Sequence, residues 1–318
     1  MYEMNTTQYV LEAVDLKRHF GPVKAVDGIS LKLKRGSVVG LIGANGAGKT
    51  TLLRLLTTLD APDNGNILIN HVDALAYPEI VRPNIGWMPD DFVPYKNVTV
   101  YDYIDFFARA YGLSGEERIN EVERVMIFVG IETLKGRYIN ALSKGQTQRI
   151  SLARTLIGNP DILFLDEPAA GLDPKARVEF KVLVERLAEE GKTLLISSHI
   201  LNELAEMCDE IIMIHQGNIT HAGKLDDVFH LSDGGVKVAI ACLNDINGLK
   251  TWLDQRDAWK NIQLNKNMVE AVFIGAGEEN LAMELREMSS QFLISEFRHQ
   301  NFNLEEAFIS LTSQPLNN

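Results

Sequence analysis

The sequence predicts an α/β protein built on a mostly parallel sheet, followed by a small α+β unit. Three observations lead to this prediction. Between residues 10 and 223, short apolar runs alternate with segments of helical periodicity, the pattern of a parallel sheet covered by helices. A glycine-rich loop joins one of these runs directly to a helix. After residue 223 the elements follow the order β-α-β-β-α-β, which is that of ferredoxin-like folds.

The first part of the chain contains most of the predicted elements. Strands are predicted for residues 9–16, 28–36, 37–43, 66–70, 161–168, 193–199 and 210–217. Helices are predicted for residues 49–58, 143–157 and 175–190, and the periodicity is helical from about residue 86 to residue 141. We therefore predict a first domain of residues 1–223, with a helical insert at about 86–155.

The second predicted domain covers residues 224–318, after a polar, turn-rich break. Its strands are expected at residues 236–243, 261–265, 269–275 and 293–300, and its helices at residues 246–256, 279–290 and 304–312. The segment supplies no recognisable chemical motif but is long enough to bury a core of its own. We expect an accessory or regulatory role for it.

Composition limits the classes of protein that the sequence allows. The 318 residues carry a formal net charge of −12, which argues against nucleic acid as a partner, because nucleic-acid-binding faces depend on Lys and Arg. The apolar runs are far shorter than the roughly 20 residues that cross a bilayer. No export signal is recognisable at the amino end, and two cysteines are too few for a disulfide scaffold. These features predict a cytoplasmic protein that does not itself span a membrane.

The segment VVGLIGANGAGKTTLL carries the strongest chemical signal. Its residues 43–50 match the pattern G-x-x-x-x-G-K-[ST] between a strand and a helix, which disfavours the alternative of a plain glycine-rich turn. Glycines let backbone N–H groups wrap a polyphosphate; Lys49 supplies positive charge to it, and the Thr50 hydroxyl is placed to ligate Mg²⁺. The residues expected to contact a nucleoside triphosphate are Gly43, Ala44, Asn45, Gly46, Ala47, Gly48, Lys49, Thr50 and Thr51.

A second segment, ILFLDEPAAGLDP, ends a buried strand with two carboxylates. Ligands of open α/β sheets bind at the carboxyl ends of strands, so both carboxylates are expected in the same site. Asp166 is placed to hold Mg²⁺ through water, and Glu167 is the candidate general base or orienting group for the attacking water. Taken alone, the pair is equally well explained as a helix cap.

These motifs, in this order, resemble the nucleotide-binding domain of ABC transporters over about residues 10–223. ALSKGQTQRISLAR is similar to the family signature, although Lys144 stands where the family usually has glycine. The resemblance implies that Ser143, Gly145 and Gln146 contact the ATP held by the other subunit of a head-to-tail homodimer. An ordinary helix cap at Ser143 is the alternative.

The same resemblance implies roles for three further residues. Asp173 belongs to the loop that connects the two active sites across the dimer, and it also fits a helix N-cap. His199 matches the family's switch histidine, which senses the γ-phosphate; a solvated histidine after a strand is the alternative. Phe20 stands where the family stacks an aromatic ring on adenine, and a core position is nearly as good an explanation.

Asp90 is the most informative departure from the family pattern. The family ordinarily has glutamine at this position, where it reaches Mg²⁺ and the attacking water and links the ATP site to the helical insert. A carboxylate can ligate Mg²⁺, yet it brings another negative charge close to Glu167 and the triphosphate. We therefore expect slow or unusually metal-sensitive catalysis.

The resemblance implies a homodimeric ATPase that binds ATP and Mg²⁺ and powers an integral membrane permease on a separate chain. Its place would be peripheral, at the cytoplasmic face of the membrane. Asp90, the LSKGQ form and the closing segment NLEEAFISLT resemble the exporter branch of the family. Two alternatives stay open: a soluble ABC ATPase of DNA repair, chromosome organisation or translation, and the ATPase of an importer.

Overall fold

The computed structural model describes residues 8–92, 95–224, 236–265, 268–275 and 277–299. The chain forms two compact units, Met1–Lys224 and Leu225–Asn318. Within the described residues, no helix is long and apolar enough to cross a lipid bilayer. The predicted closing helix at 304–312 lies outside the described residues.

The strands of the first unit form two sheets. They are β1 (Tyr9–Phe20), β2 (Val23–Lys34), β3 (Val38–Ile42), β4 (Asn64–Ile69), β5 (Val72–Asp73), β6 (Ile85–Met88), β7 (Ile162–Leu165), β8 (Thr193–Ser198), β9 (Glu210–His215) and β10 (Asn218–Lys224). A four-stranded antiparallel sheet has the order β2-β1-β4-β5. A six-stranded sheet has the order β10-β9-β3-β8-β7-β6, and every neighbouring pair except β10 and β9 is parallel. The predicted α/β fold with a mostly parallel sheet is confirmed.

Seven α-helices belong to the described part of the first unit, and three of them begin at a side-chain cap. They are α1 (Lys49–Leu56), α2 (Pro78–Val81), α3 (Val100–Ala110), α4 (Gly115–Phe128), α5 (Lys144–Thr155), α6 (Pro174–Glu189) and α7 (Leu201–Ala205). Thr99 and Asp173 cap α3 and α6 by accepting a backbone N–H three residues on. Ser143 and Gln146 form a reciprocal capping box at the start of α5.

The parallel sheet brings its strand ends to one edge. Every residue of β3, β7 and β8 is buried, as expected for strands covered by helices on both faces. The register pairs Ile42 of β3 with Ser198 of β8, and Leu165 of β7 with Ile196 of β8. The segments that follow these three strands are the glycine-rich loop, the two carboxylates and the histidine segment, so all three meet at this edge.

The expected start of the helical insert at residue 86 is wrong. Ile85–Met88 forms β6, which pairs in parallel with β7 at the end of the sheet. An ideal Cβ on Gly86 would lie 2.5 Å from Leu163 Cδ2, so the strand packs too closely for any larger residue. The run is only four residues long, and sequence periodicity could not separate it from the aromatic-rich helix that follows.

The second unit has the predicted β-α-β-β-α-β order. Its elements are β11 (Val236–Cys242), α8 (Ile246–Asp254), β12 (Trp259–Asn265), β13 (Met268–Phe273), α9 (Gly277–Gln291) and β14 (Ile294–His299). The sheet has the order β12-β13-β11-β14, with all neighbours antiparallel. Alternate residues of β11, Val238 and Ile240, are fully buried in a core shared with Leu249 and Leu253 of α8.

Candidate functional site

The glycine-rich loop between β3 and α1 is packed directly against backbone atoms. Gly48 has a φ of 109°, and an ideal Cβ there would lie 2.0 Å from the carbonyl oxygen of Ala25. A Cβ on Gly43 would lie 2.6 Å from the carbonyl oxygen of Ile214. Only glycine fits either position, so the loop can bend tightly and present its N–H groups at the amino end of α1.

The turn between β9 and β10 supports this loop from a distant part of the chain. Gly217 donates its N–H to the carbonyl of Ala47 at 3.0 Å and accepts the N–H of Asp27 at 2.8 Å. The loop is therefore held between β2 and the β9–β10 turn.

Lys49 is the first residue of α1, and its ammonium group is buried inside the loop. It donates to the carbonyl oxygen of Gly43 at 2.7 Å and lies 3.1 Å from Glu167 Oε1. A lysine held this way by carbonyl and carboxylate oxygens is already oriented toward the loop's concave side. An incoming polyphosphate would compete with Glu167 for this cation.

Asp166 is buried at the end of β7 and is held by two hydroxyl groups. Thr50 Oγ1 donates to Asp166 Oδ2 at 2.8 Å, and Ser197 Oγ donates to Asp166 Oδ1 at 2.5 Å. Among the described residues, no group of three or more His, Cys, Asp or Glu side chains could hold a metal ion. The Thr50 and Asp166 oxygens nevertheless fit Mg²⁺, which prefers oxygen ligands and takes few of them from protein when a phosphate is present.

Glu167 follows Asp166 in a left-handed backbone conformation, with a φ of 47°. For a residue that is not glycine, this costs on the order of 1–3 kcal/mol and persists only where the surroundings enforce it. Its N–H donates to Ser197 Oγ at 2.9 Å, and His199 Nδ1 lies 2.8 Å from its Oε2. Both carboxylate oxygens thus have partners in the site, Lys49 and His199, and a helix cap does not describe this residue.

A cavity of about 330 Å³ opens beside these groups. The residues that line it are Ala25, Asn45, Gly46, Gly48, Lys49, Thr50, Thr51, Asp90, Glu167, Ala170 and His199. Residues predicted from four separate motifs thus meet around one space. Sequence reasoning missed Ala25, Ala170 and Ser197. The only signal for Ser197 was its place two residues before His199, at the end of a predicted strand.

Asp90 lies at the rim of the cavity, close to the other carboxylates. Desolvation raises the pKa of the Asp90 carboxyl above its ordinary value, and the negative charges of Asp166, Asp91 and Glu167 raise it further. The positive charge of Lys144 acts in the opposite direction on this pKa. A cation bound beside Asp90 would stabilise its ionised form.

The residues at the start of α5 lie elsewhere in the same unit. Ser143, Gly145 and Gln146 line a second cavity, together with Arg149 of α5 and residues of α6. Ser143 Oγ accepts the N–H of Gln146 at 3.3 Å, so the cap suggested by the sequence is present. Within one chain, these residues do not join the cavity beside Lys49.

Two other predicted contacts are exposed. Asp173 caps α6 and faces solvent. Phe20 is 49% exposed at the end of β1, with the guanidinium of Arg18 5.0 Å from its ring centre, so the alternative of a core position for Phe20 is wrong. Phe20 is not among the residues that line the cavity beside Lys49.

Comparison with known proteins places the chain among ATP-binding cassettes. A family model described as "ABC transporter" matches residues 26–170. The chain is 37% identical over 208 residues to the ABC transporter ATP-binding protein NatA of Bacillus subtilis, covering 65% of this chain and 85% of NatA. It is 30% identical to the Nod factor export ATP-binding protein I of Ralstonia nicotianae, covering 96% of this chain and 95% of that protein.

Other relatives and solved structures agree with this placement. A probable multidrug ABC transporter ATP-binding protein of Escherichia coli, YbhF, is 35% identical, and the match spans 69% of this chain but 38% of YbhF. The structure of CbiO1 from Clostridium perfringens, part of the ABC transporter complex CbiONQ, superimposes with a TM-score of 0.64 at 29% identity. That likeness covers 70% of this chain and 92% of CbiO1.

Proposed function

Because the chain belongs to the ABC transporter family as an ATP-binding subunit, whose members hydrolyse ATP to power transport, we propose that it drives export through a separate membrane permease. The observation that carries this proposal is the connected set of Lys49, Glu167 and His199 beside the hydroxyl-held Asp166. A relative that matches nearly the whole chain, the Nod factor export protein, favours export. The linearmycin resistance ATP-binding protein LnrL of Bacillus subtilis is also matched over 96% of this chain, at 28% identity.

We assign the chemistry to the residues that surround the cavity. The N–H groups of the loop and the Lys49 ammonium bind the triphosphate, and Thr50 with Asp166 would hold Mg²⁺. When bound, Mg²⁺ neutralises part of the phosphate charge. Glu167 orients the attacking water and accepts its proton. His199 keeps the carboxylate of Glu167 in place through its Nδ1 contact at 2.8 Å.

The position of the α5 start supports the proposal of a homodimer. Ser143, Gly145 and Gln146 face a cavity of their own rather than the phosphate loop of the same chain. The amino end of α5 presents partial positive charge, and this suits a phosphate supplied by a second subunit. In this arrangement Asp173 would lie beside the subunit boundary. The second unit, residues 225–318, would regulate the dimer or its coupling to the permease.

Replacing Asp90 by glutamine is expected to leave ATP hydrolysis unchanged or faster, with a shifted Mg²⁺ optimum. The substitution removes one of the negative charges that crowd Asp166 and Glu167. It also replaces a charged carboxylate oxygen by a neutral amide oxygen, which attracts Mg²⁺ less strongly, so the optimum is expected to move to higher Mg²⁺ concentration. The measurement is steady-state ATPase activity across a Mg²⁺ titration.

Asp91→Asn is the matched control for this prediction. This substitution removes one negative charge from the neighbouring residue, at an exposed position that does not line the cavity. We expect the Mg²⁺ dependence of this control to equal that of the wild type. A loss of activity in Asp90→Gln of more than about tenfold, or about 1.4 kcal/mol in barrier, would instead identify Asp90 as a required metal ligand.

The surface beside the helical insert suits the proposed permease contact. A cavity of about 330 Å³ is lined mainly by apolar and aromatic side chains, with two arginines at its edge: Thr57, Leu59, Arg82, Ile85, Trp87, Phe107, Tyr111, Arg154 and Thr155. Tyr95 is 56% exposed and lies against the buried Tyr103, and Phe106 is 61% exposed and lies against Phe107 of the cavity lining. Exposed aromatic residues grouped around a cavity are typical of a protein contact site.

Cysteines introduced at Tyr95 or Lys96 are expected to form crosslinks with the membrane subunit that copurifies with this chain. Val182→Cys on α6 is the control, because Val182 is 46% exposed but far along the chain from the insert. The partly exposed Cys242 would be replaced by serine in every variant, and Cys208 is buried. Crosslinks from Val182→Cys alone would place the contact on another face.

Import is the second candidate function, because some relatives carry import names. The methionine import protein MetN 1 of Bacillus cereus is 33% identical, and the match covers 83% of this chain and 77% of that protein. The ATP chemistry of the two directions is the same. Transport assays with the purified complex in proteoliposomes, with ATP supplied on one side only, distinguish them by where the solute accumulates.

A further inference from the structure

Glu203 is a buried carboxylate that has no part in the site described above. It lies in the short helix α7, four residues after His199, and is only 3% exposed. Ser198 Oγ donates to Glu203 Oε2 at 3.1 Å, and Arg177 of α6 lies 3.2 Å from Glu203 Oε1. The carboxylate therefore bridges the histidine segment and α6.

The surroundings of Glu203 are those of an apolar position. Leu201 and Leu204 of the same helix are buried, so Glu203 lies in a mainly apolar stretch of α7. A charged group in such a place is costly unless it is paired, and acidic residues are almost never fully buried otherwise. Its partners, Ser198 and Arg177, therefore bear on why a carboxylate is kept at this position.

The contacts of Glu203 reach His199 through Ser198. The Ser198 hydroxyl, held by Glu203, also accepts the N–H of Ile200 at 3.0 Å. The backbone is thus fixed on both sides of His199. From this position, His199 directs both its N–H, at 3.3 Å, and its Nδ1, at 2.8 Å, to Glu167 Oε2. Displacement of reacting groups by about 1 Å can cost two orders of magnitude in rate, so this support bears on catalysis.

On its other side, Glu203 is tied to the helix that starts at the proposed subunit boundary. Arg177 lies in the first turns of α6, just after its N-cap Asp173. The ion pair between Arg177 and Glu203 joins a partly exposed guanidinium to a buried carboxylate. A movement of α6 that displaces Arg177 would therefore shift Glu203, and with it Ser198 and His199.

We propose that Glu203 is a positioning residue that holds His199 against Glu167 and, through Arg177, ties that position to α6. The proposal rests on the role of His199 in the proposed function. It adds a path by which contact at Asp173 with a second subunit would adjust the geometry around Glu167. Within the subunit this path runs from Arg177 through Glu203 and Ser198 to His199, and the coupling between Arg177 and Glu203 is measurable by a double-mutant cycle.

Glu203→Gln tests the proposal with little change in shape. The amide oxygen can still accept from Ser198, but the charge that pairs with Arg177 is gone. We expect kcat for ATP hydrolysis to fall about tenfold. KM and the affinity for a fluorescent ATP analogue are expected to stay within about twofold of the wild type. Arg177→Met is expected to have the same effect, and the double variant to be no slower than either single one.

Lys181→Met is the control on the same helix. Lys181 forms only a long contact of 3.9 Å with Glu185 and has no connection to His199 in the described structure. We expect wild-type kcat for this variant. Thermal unfolding of all variants separates the proposal from a purely structural role, because a structural role lowers Tm and leaves the kcat of the folded protein unchanged.

The sharper test repeats Glu203→Gln in a His199→Ala background, with single-turnover assays so that slow variants remain measurable. If Glu203 acts through His199, Glu203→Gln does not lower the hydrolysis rate further in the His199→Ala background. An equal loss in both backgrounds, or wild-type kcat for Glu203→Gln, would overturn the proposal. Full activity of His199→Ala would reject the assigned role of His199 and this proposal with it. Inactivity of the wild-type complex would count against the proposed function itself.

Discussion

Replacing Glu167 by glutamine is expected to lower the rate of ATP hydrolysis at least about a hundredfold, the usual contribution of a positioned general base. The amide keeps the size of the side chain and one acceptor oxygen, so the contacts with Lys49 and His199 can persist in altered form. ATP binding is expected to be unchanged or tighter, because the carboxylate that competes for the Lys49 ammonium is neutralised.

The same variant tests the homodimer. When ATP and Mg²⁺ are bound but not hydrolysed, the two-subunit form is expected to accumulate, and analytical ultracentrifugation measures its fraction. Adding Ser143→Ala to Glu167→Gln provides the matched variant, because it removes the hydroxyl at the start of α5 that is proposed to reach the partner's phosphate. A Glu167→Gln protein that binds ATP but stays monomeric, with the permease present, would contradict the assignment of Ser143 and Gly145.

Replacing Lys49 by alanine is expected to abolish hydrolysis and to weaken ATP binding. Lys49 is the one lysine or arginine among the described residues that line the cavity, so no other side-chain cation is placed to hold the γ-phosphate. Single-turnover hydrolysis and calorimetric ATP binding measure the two effects. Retained turnover would reject the site.

Loss of Lys49 also has a structural effect that the experiment must separate. The ammonium and the Glu167 carboxylate are both buried and lie 3.1 Å apart. Removing one member of a buried pair leaves the other uncompensated, typically at a cost of about 3–5 kcal/mol. The double variant Lys49→Ala, Glu167→Gln removes both charges and is expected to recover much of the lost thermal stability. It is expected to remain inactive, so that lost activity cannot be attributed to unfolding.

The sequence predicted most of the fold because its signals are local. A fully apolar run such as VVGLI is buried on both faces, and glycines that cannot carry a Cβ lie where the pattern places them. The cavity beside Lys49 unites residues from four motifs, as the common edge of a parallel sheet requires. The order of the second unit was likewise readable from alternating periodicity.

What the sequence did not reveal depends on contacts between distant segments. The strand β6 is too short to show a period, and it is defined by its pairing with β7, about 75 residues later. Ala25 enters the site only because its carbonyl packs on Gly48, and no pattern marks it. Glu203 looks like one more polar residue on a helix until its burial and its contacts with Ser198 and Arg177 are known.

The position of β3 in the sheet has a consequence for synthesis of the chain. Its two neighbours, β8 and β9, begin about 150 and about 170 residues after it, and the turn at Gly217 that supports the phosphate loop comes later still. At translation rates of about 5–20 residues per second, the apolar strand leaves the ribosome roughly 8–30 s before its partners. During that time its hydrogen-bonding edges and apolar faces are open to other chains. We therefore expect this strand to need shielding, by chaperones or by the chain's own antiparallel sheet, until translation passes residue 217.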